Sequence, residues 1–382
     1  MQKEYIKSLY IKHKEESLYG RYITNQNIEP LLKDLGDKFE VEIIGKSVLR
    51  KPIYGVKVGT GNKRILMWSQ MHGNESTTTK ALFDLFNSFK SDNDSINSIL
   101  KNCTLYVIPI LNPDGAHAYT RVNANEVDLN RDAQNLTQPE SNVLRNVFNR
   151  FKPNYCYNLH GQRTIFSAGK ANKSATVSFL SPAQDKVCTI TPNRRVAMEI
   201  IGVMNKALQD VIPNQVGVYD DAFNINCVGD TFQSENIPTI LFEAGHYDSD
   251  YQREFTRELI YMSYLISLNY ISVTDVDGSL YEPYFQIPEN EKLFLDIIIR
   301  NVSGYGDELV DIGIQYKEIL KAGKLLFVPF IEKIEKLSDF FAHKEIDAKG
   351  VKVLGANNEK LTIGNENVLI VLKNEIIALN IK

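Results

Sequence analysis

Four short apolar segments separated by helix-like stretches constrain the fold of this chain more than any other feature of its sequence. The segments cover residues 64–70, 105–111, 155–159 and 239–243. Longer helical patterns cover residues 78–89, 194–208 and roughly 251–270, and another follows Pro139. Apolar runs of this length predict buried strands. Strands that alternate with helices predict an α/β fold, in which a central sheet carries helices on both faces.

The chain changes character after Asn269. Residues 275–290 are rich in Asp, Gly, Pro and Glu, a composition typical of a linker. Strand-like segments separated by turns follow at residues 293–299, 311–316, 324–330, 350–354 and 367–381. We therefore predict one large domain over residues 1–272 and a smaller, β-rich accessory domain over residues 273–382.

The composition is that of an ordinary globular protein, and it argues against several classes of function. The 382 residues are 43% hydrophobic and 24% charged, so the chain can bury a large core without disulfide bonds. The formal net charge is −4 and there is no long run of one sign. Strong electrostatic attraction to nucleic acids or to anionic membranes is therefore not expected.

The N-terminal part and the cysteines indicate a cellular location. Charges interrupt every apolar run before Ile43, so no signal peptide is visible. The four cysteines lack C-x-x-C spacing, which favours reduced thiols. We expect a cytoplasmic protein, although a chain trimmed of its signal peptide would look the same.

A candidate metal site begins with His72-Gly73-Asn74-Glu75, directly after the strand-like segment 64–70. Catalytic zinc takes three protein ligands from His and carboxylate side chains and leaves one position open. His160 immediately follows the segment 155–159, and open α/β sheets bind ligands at the carboxyl ends of their strands. The alternative is a histidine packed beside the sheet and a glutamate favoured by a helix dipole. These residues alone leave both interpretations open.

Further polar residues follow the other strand-like segments. Asn112-Pro113-Asp114-Gly115 has the composition of a tight turn. Arg121 and the run 128–132 (DLNRD) come next, and arginines in such a loop can hold a carboxylate or stabilise an oxyanion. A surface ion pair is the alternative for each arginine. Glu243 ends an apolar strand and can act as a general base, or as a charge at the start of a helix.

Taken in order, these motifs resemble those of the zinc metallocarboxypeptidases, the carboxypeptidase A-like family, in its bacterial-type branch. The resemblance covers roughly residues 37–270. It implies a carboxypeptidase-like fold with a mixed central sheet. It also implies that Arg121 stabilises the oxyanion and that Glu243 activates zinc-bound water as the base. The ligands that it implies for one Zn²⁺ per chain are His72, Glu75 and His160.

The same resemblance implies a substrate class and a reaction. Asn130 and Arg131 would hold the free C-terminal carboxylate of a peptide or peptide-like substrate. Tyr219 lies at a suitable distance before Glu243 to be the tyrosine that closes over the substrate. The implied enzyme is a zinc-dependent hydrolase that removes a C-terminal amino acid from peptides.

Two other functions remain open. An N-acyl-amino-acid deacylase, of the aspartoacylase or succinylglutamate desuccinylase type, shares the His-Gly-Asn-Glu and Asp-Leu-Asn-Arg signatures. The Asn-Pro-Asp-Gly turn and the Phe-Glu-Ala-Gly sequence at Glu243 favour the peptidase. An inactive peptide-binding module is the other alternative, and the retention of every expected metal and base position argues against it. The sequence contains neither a G-x-S-x-G elbow nor a phosphate-binding loop.

Overall fold

The computed structural model of the protein describes residues 3–366, 369–372, 375–379 and 381. The chain forms two compact units. The first comprises Met1–Gln162 and Ala175–Asn290, and the second comprises Arg163–Ser174 and Glu291–Lys382. The division into functional domains between residues 272 and 273 stays a prediction. Among the described residues, no helix is both long enough and apolar enough to cross a bilayer.

The α-helices of the described chain all lie in the first unit. They are α1 (Lys3–His13), α2 (Asn25–Lys33), α3 (Thr77–Lys90), α4 (Asp94–Asn102), α5 (Pro113–Ala118), α6 (Pro139–Phe151), α7 (Pro192–Leu208), α8 (Val228–Ser234) and α9 (Glu254–Val273). Short 3-10 turns are formed by Leu129–Arg131 and Glu282–Gln286.

The strands of the described chain occur in both units. They are β1 (Phe39–Lys46), β2 (Pro52–Val58), β3 (Lys63–Ser69), β4 (Cys103–Ile108), β5 (Tyr155–Gly161), β6 (Ser167–Ala168), β7 (Val177–Leu180), β8 (Val216–Val218), β9 (Thr239–Ala244), β10 (Asn290–Glu291), β11 (Phe294–Val302), β12 (Val310–Lys321), β13 (Lys324–Glu335), β14 (Phe341–Asp347), β15 (Val353–Gly355), β16 (Leu369–Leu372) and β17 (Glu375–Ala378).

The first unit is built around an eight-stranded sheet with the order β1-β2-β4-β3-β5-β9-β7-β8. Strands β4, β3, β5 and β9 run parallel to one another. On one side of these four strands, β2 pairs antiparallel with β4 and with β1. On the other side, β7 pairs antiparallel with β9 and parallel with the edge strand β8. The predicted mixed sheet is therefore confirmed.

The side chains of the central strands alternate between two apolar layers. Ile65 and Met67 of β3 belong to the layer that contains α3, α7 and α9. Leu66 and Trp68, on the other face of the same strand, pack in the layer that contains α6 and α8. Because successive side chains of a strand point to opposite faces, a continuous apolar run needs helices on both sides. The predicted helices on both faces are thus confirmed.

The boundaries of the predicted elements differ from the observed ones by a few residues, and some elements were not predicted. Strands β7 and β8 and the helix α4 have no counterpart among the predictions. The expectation of a linker at residues 275–290 was wrong. The side chains of Tyr284 and Ile287 in this segment are buried in the apolar core of the first unit.

The second unit is rich in strands, as predicted. A four-stranded sheet has the order β13-β12-β11-β14, and a three-stranded sheet has the order β15-β16-β17. Strand β14 was not predicted, and it pairs parallel with β11. The last predicted strand, 367–381, corresponds to β16 and β17. Residues 367, 368, 373, 374 and 380 of that prediction lie outside the described residues.

A fully buried ion pair joins α3 to α9 in the first unit. The side chains of Asp84 and Arg257 are both 0% exposed. The Nε and Nη2 atoms of Arg257 donate to the two carboxylate oxygens of Asp84 at 2.7 and 2.5 Å. Arg257 also donates to the main-chain carbonyl of Leu18. Without Asp84, the buried guanidinium would keep the partly exposed carboxylate of Glu254, 3.2 Å from its Nη1 atom, but it would lose its buried partner, which is costly.

We predict that Asp84→Ala lowers the free energy of unfolding of the first unit by about 3–5 kcal/mol, because the guanidinium of Arg257 loses its buried carboxylate. The fluorescence of Trp68, the single tryptophan of the chain and a buried residue of this unit, reports its unfolding in urea. Glu40→Ala is the matched control. It breaks the exposed Lys57–Glu40 pair, which contributes only about 0–1 kcal/mol. Equal effects of the two substitutions would contradict the prediction.

Candidate metal centre

The loop between β3 and α3 carries His72 and Glu75, and close backbone packing determines its path. A Cβ atom at Gly73 would lie 2.0 Å from the carbonyl carbon of Gly115 and 2.1 Å from the main-chain nitrogen of Ala116. The Asn-Pro-Asp-Gly motif therefore does more than form a turn. Its residues begin helix α5, where Asn112 Oδ1 accepts from the main-chain N–H of Gly115 at 2.8 Å, and this helix supports the loop.

His72, Glu75 and His160 converge on one point at the carboxyl end of the sheet. Their ligand atoms lie within 4.8 Å of one another. The Nδ1 atom of His72 is 2.9 Å from Glu75 Oε1, and the Nδ1 atom of His160 is 2.9 Å from Glu75 Oε2. The two Nδ1 atoms are 3.0 Å apart. Both histidine side chains are only 2% exposed.

The donor set of this cluster fits zinc. Two imidazole nitrogens and a carboxylate are ligands that Zn²⁺ prefers, and three protein ligands leave a position open for substrate or water. Burial opposes the charged form of Glu75, but His72 and His160 hold the pKa of its carboxyl well below the usual range. Burial lowers the pKa of His160, which favours the neutral imidazole that a metal requires. These two shifts favour the forms of Glu75 and His160 that bind a metal, an ionised carboxylate and a neutral imidazole.

A second carboxylate, Asp128, orients His72 from the other side. The Nε2 atom of His72 donates to Asp128 Oδ1 at 3.0 Å, which leaves Nδ1 as the ring nitrogen that faces the cluster. Asp128 Oδ2 accepts from the Nε of Arg121 at 3.0 Å. No role was predicted for Asp128, although it belongs to the DLNRD run at residues 128–132. Its position two residues before Asn130, in the same loop as the candidate substrate-binding residues, was the available signal.

Arg121 lies beside this cluster, with 48% of its side chain exposed. Its Nη1 atom is 3.5 Å from Glu75 Oε1, and Asp128 holds the other edge of the guanidinium. Solvent exposure leaves part of the guanidinium free to meet a ligand at the cluster. The position is compatible with the oxyanion role that the resemblance implies.

Glu243 lies on the strand next to the one that carries His160. Strands β5 and β9 are paired so that His160 is directly opposite Glu243. The Oε2 atom of Glu243 is buried and makes no hydrogen bond within the described part of the chain. Burial, together with the negative charge of Glu75, raises the pKa of Glu243 well above the usual range of a glutamate. A raised pKa brings a carboxyl group closer to the range in which it can exchange protons.

Tyr219 follows strand β8 and is near the same carboxylates. Burial raises the pKa of its phenol, and the charges of Glu243 and Glu75 raise it further. Its main-chain N–H donates to the carbonyl of Phe179 at 3.0 Å, which attaches this loop to strand β7. The Tyr219 phenol is therefore within electrostatic reach of Glu243 and Glu75.

Asn130 and Arg131 lie on the 3-10 turn Leu129–Arg131 and contact the start of α8. Asn130 Oδ1 accepts from the main-chain N–H of Val228 at 3.0 Å. Nη1 of Arg131 donates to the carbonyl of Asn130 at 2.7 Å and lies 3.1 Å from Cys227 Sγ. The side chain of Arg131 is exposed. Asp128, which precedes the turn, contacts His72 directly, so the turn adjoins the cluster without contributing a ligand to it.

The sequence is similar to a family profile and to known peptidases. The zinc carboxypeptidase family profile matches residues 25–228. Carboxypeptidase SOL1 of Arabidopsis thaliana is 29% identical over 164 residues, which are 37% of this chain and 33% of that protein. Gamma-D-glutamyl-L-diamino acid endopeptidase 1 of Lysinibacillus sphaericus is 30% identical over 115 residues, or 26% of this chain and 29% of that protein. The similarity thus spans about a third of the length of these relatives.

A solved structure shows the same fold. The metallo-carboxypeptidase from Burkholderia cenocepacia superimposes with a TM-score of 0.52, at 15% sequence identity, over 66% of this chain and 69% of that one. At this identity the likeness concerns the fold alone. The family profile ends at residue 228, so Glu243 lies beyond the range that it matches.

We predict that Gly73→Ala lowers the free energy of unfolding of the first unit by about 1–3 kcal/mol, the usual effect of forcing a methyl group into packed structure. The added Cβ would meet the backbone of Gly115, which cannot rotate away. Gly202→Ala is the matched control, because its Cβ would meet only Pro283 at an ordinary 3.6 Å. This helical substitution should stabilise by up to about 1 kcal/mol. Unchanged urea unfolding of Gly73→Ala, followed by Trp68 fluorescence, would show that the loop can move away from α5.

Proposed function

Because this chain belongs to the zinc carboxypeptidase family, we propose that it is a zinc-dependent hydrolase that removes the C-terminal amino acid from peptides. The observation that carries the proposal is the convergence of His72, Glu75 and His160 on one point. Beside them lies a buried carboxylate oxygen of Glu243 that has no hydrogen-bond partner among the described residues. Metal ligands next to a potential proton acceptor are the minimum that metal-assisted hydrolysis requires.

One Zn²⁺ would be held by the Nδ1 atoms of His72 and His160 and by the carboxylate of Glu75. When bound, the ion would polarise a carbonyl group and make water more acidic. Asp128 supports this arrangement because it fixes the ring orientation of His72.

Glu243 would act as the general base and then as the general acid. Its carboxylate would accept a proton from the attacking water as the new C–O bond forms. It would then return that proton to the leaving amine as the C–N bond breaks. Arg121 would donate hydrogen bonds to the oxygen on which negative charge develops, and its contact with Asp128 holds the guanidinium in place.

Asn130 and Arg131 would bind the carboxylate at the end of the substrate. A guanidinium pairs with a carboxylate through two parallel hydrogen bonds, and the exposed side chain of Arg131 is available for this contact. Tyr219 would close the site on the side of Glu243. We also propose that catalysis resides in residues 1–272 and that residues 273–382 form an accessory domain without a catalytic group.

We predict that the purified protein binds one zinc ion per chain and that His160→Ala loses most of it, because a ligand is removed. Metal analysis after exhaustive dialysis measures the loss. Glu243→Gln is the matched variant at the residue paired with His160. It should keep its zinc but lose about 10²–10⁴-fold in kcat, since an amide cannot accept the proton. Full zinc retention by His160→Ala would refute the ligand set. Near-wild-type turnover by Glu243→Gln would assign the base elsewhere.

We predict that the enzyme cleaves a peptide with a free C-terminus and leaves the same peptide intact when it is C-terminally amidated. Arg131→Ala should lower kcat/KM for the free peptide by roughly a hundredfold, because the substrate carboxylate loses a charged partner. Product release followed by chromatography measures both rates. Efficient cleavage of the amidated peptide would contradict an exopeptidase.

A second arm of this assay tests the alternative deacylase, which would also prefer a free carboxylate. N-acetyl and N-succinyl amino acids are offered beside a dipeptide and a longer peptide. Turnover confined to the N-acyl amino acids would identify the deacylase. Binding of the peptides without turnover of any substrate would identify an inactive binding module.

A further inference from the structure

We propose that Arg253 is a positioning residue that keeps Glu243 and His160 in register at the carboxyl edge of the sheet. Its Nη1 atom donates to the carbonyl of Ala244 at 3.3 Å, and its Nη2 atom donates to the carbonyl of Gln162 at 3.1 Å. Ala244 directly follows Glu243, and Gln162 is the second residue after His160. One planar guanidinium thus joins the ends of the strands that carry the proposed base and a proposed zinc ligand. The inference rests on the roles proposed for these two residues.

The burial of Arg253 argues that its hydrogen bonds to the two carbonyls are not incidental. The residue is only 1% exposed, and taking a cation out of water is costly unless the protein offsets the lost hydration. The guanidinium meets main-chain carbonyls at a place where strands β5 and β9 have just ended. A further main-chain bond, from the N–H of Gln162 to the carbonyl of Ala244 at 3.0 Å, closes the same junction.

The backbone of Arg253 is held in an unfavourable conformation that directs its side chain to this edge. Its φ angle is +60°, in the left-handed region that non-glycine residues rarely adopt. Asp250 stabilises the conformation. Its carbonyl accepts from the N–H of Arg253 at 3.0 Å, and its carboxylate accepts from the main-chain N–H groups of Glu254 and Thr256. Strain that the surroundings maintain in this way is concentrated at functional sites.

The geometry gives Arg253 a specific effect on the reaction. A guanidinium presents two donors at a fixed spacing, so it determines the separation of the two carbonyls and of the residues next to them. A displacement of about 1 Å between reacting groups can cost about a hundredfold in rate. The substrate carboxylate is held elsewhere, by Asn130 and Arg131 in the proposed mechanism, so binding of the peptide should be little affected.

The test compares Arg253→Met with Arg194→Met in the full chain. Arg194 is also 1% exposed and also donates to main-chain carbonyls, those of Ser181 and Cys188. It pairs in addition with the carboxylate of Asp221, but it contacts neither the end of β5 nor the end of β9. Zinc affinity is measured by competition with a chelator, and kcat and KM are measured with a free-carboxylate peptide. Arg253→Met should weaken zinc binding about tenfold or more and lower kcat about 10–100-fold with KM nearly unchanged. Arg194→Met should stay within about twofold of the wild type in zinc affinity and kcat, an effect far smaller than that of a misplaced reacting group.

Arg253→Lys keeps the charge but replaces the two-pronged donor by a single ammonium. It should fold, with a zinc affinity and a kcat between those of the wild type and Arg253→Met. If Arg253→Met does not fold, Arg253→Lys alone tests the proposal. Wild-type zinc affinity and kcat in Arg253→Lys or Arg253→Met would overturn the proposal, as would equal losses in Arg194→Met. A wild-type protein that binds no zinc and cleaves no peptide would instead refute the proposed function.

Discussion

The hydrogen-bonded register of the parallel strands β3, β5 and β9 is the constraint on which the candidate site depends. It places His160 opposite Glu243 and ends β3 beside β5, so that the loop with His72 begins at the same edge. A slip of one residue would turn every side chain of a strand to the opposite face. The two apolar layers oppose such a slip in β3. It would turn Ile65 and Met67 into the layer that now packs Leu66 and Trp68, and the reverse.

The site itself is polar and buried, so its side chains must satisfy one another. His72 contacts Glu75 through one ring nitrogen and Asp128 through the other, and Asp128 in turn binds Arg121. Each contact offsets the cost of removing charge or polarity from water. Two atoms of the site are exceptions: Glu243 Oε2 and His160 Nε2 are both buried without a hydrogen bond from the described residues. An unsatisfied carboxylate oxygen next to candidate metal ligands is costly for stability, and it would be useful for the proposed proton transfer.

Apolar runs and short local motifs predicted much of the fold and most of the residues that lie at the candidate site. The apolar runs predicted β3, β4, β5 and β9, because strands buried on both faces leave a continuous signal. Strands β7 and β8 were missed, since segments as short as Val177–Leu180 and Val216–Val218 carry no periodicity. The segment 275–290 looked like a linker because its composition is polar, whereas Tyr284 and Ile287 bury their side chains. Local composition does not reveal such long-range contacts.

The sequence by itself determined which residue types could form the site and the strand ends at which they would lie. The convergence of His72, Glu75 and His160 within 4.8 Å was decided by tertiary structure, because it depends on which strands become neighbours. The same holds for Asp128 and Arg253. Asp128 acts on a histidine 56 positions away in the sequence, and Arg253 joins two strand ends through main-chain carbonyls. A carbonyl has no sequence signature, since every residue carries one, and only the folded backbone shows which of them a side chain can reach.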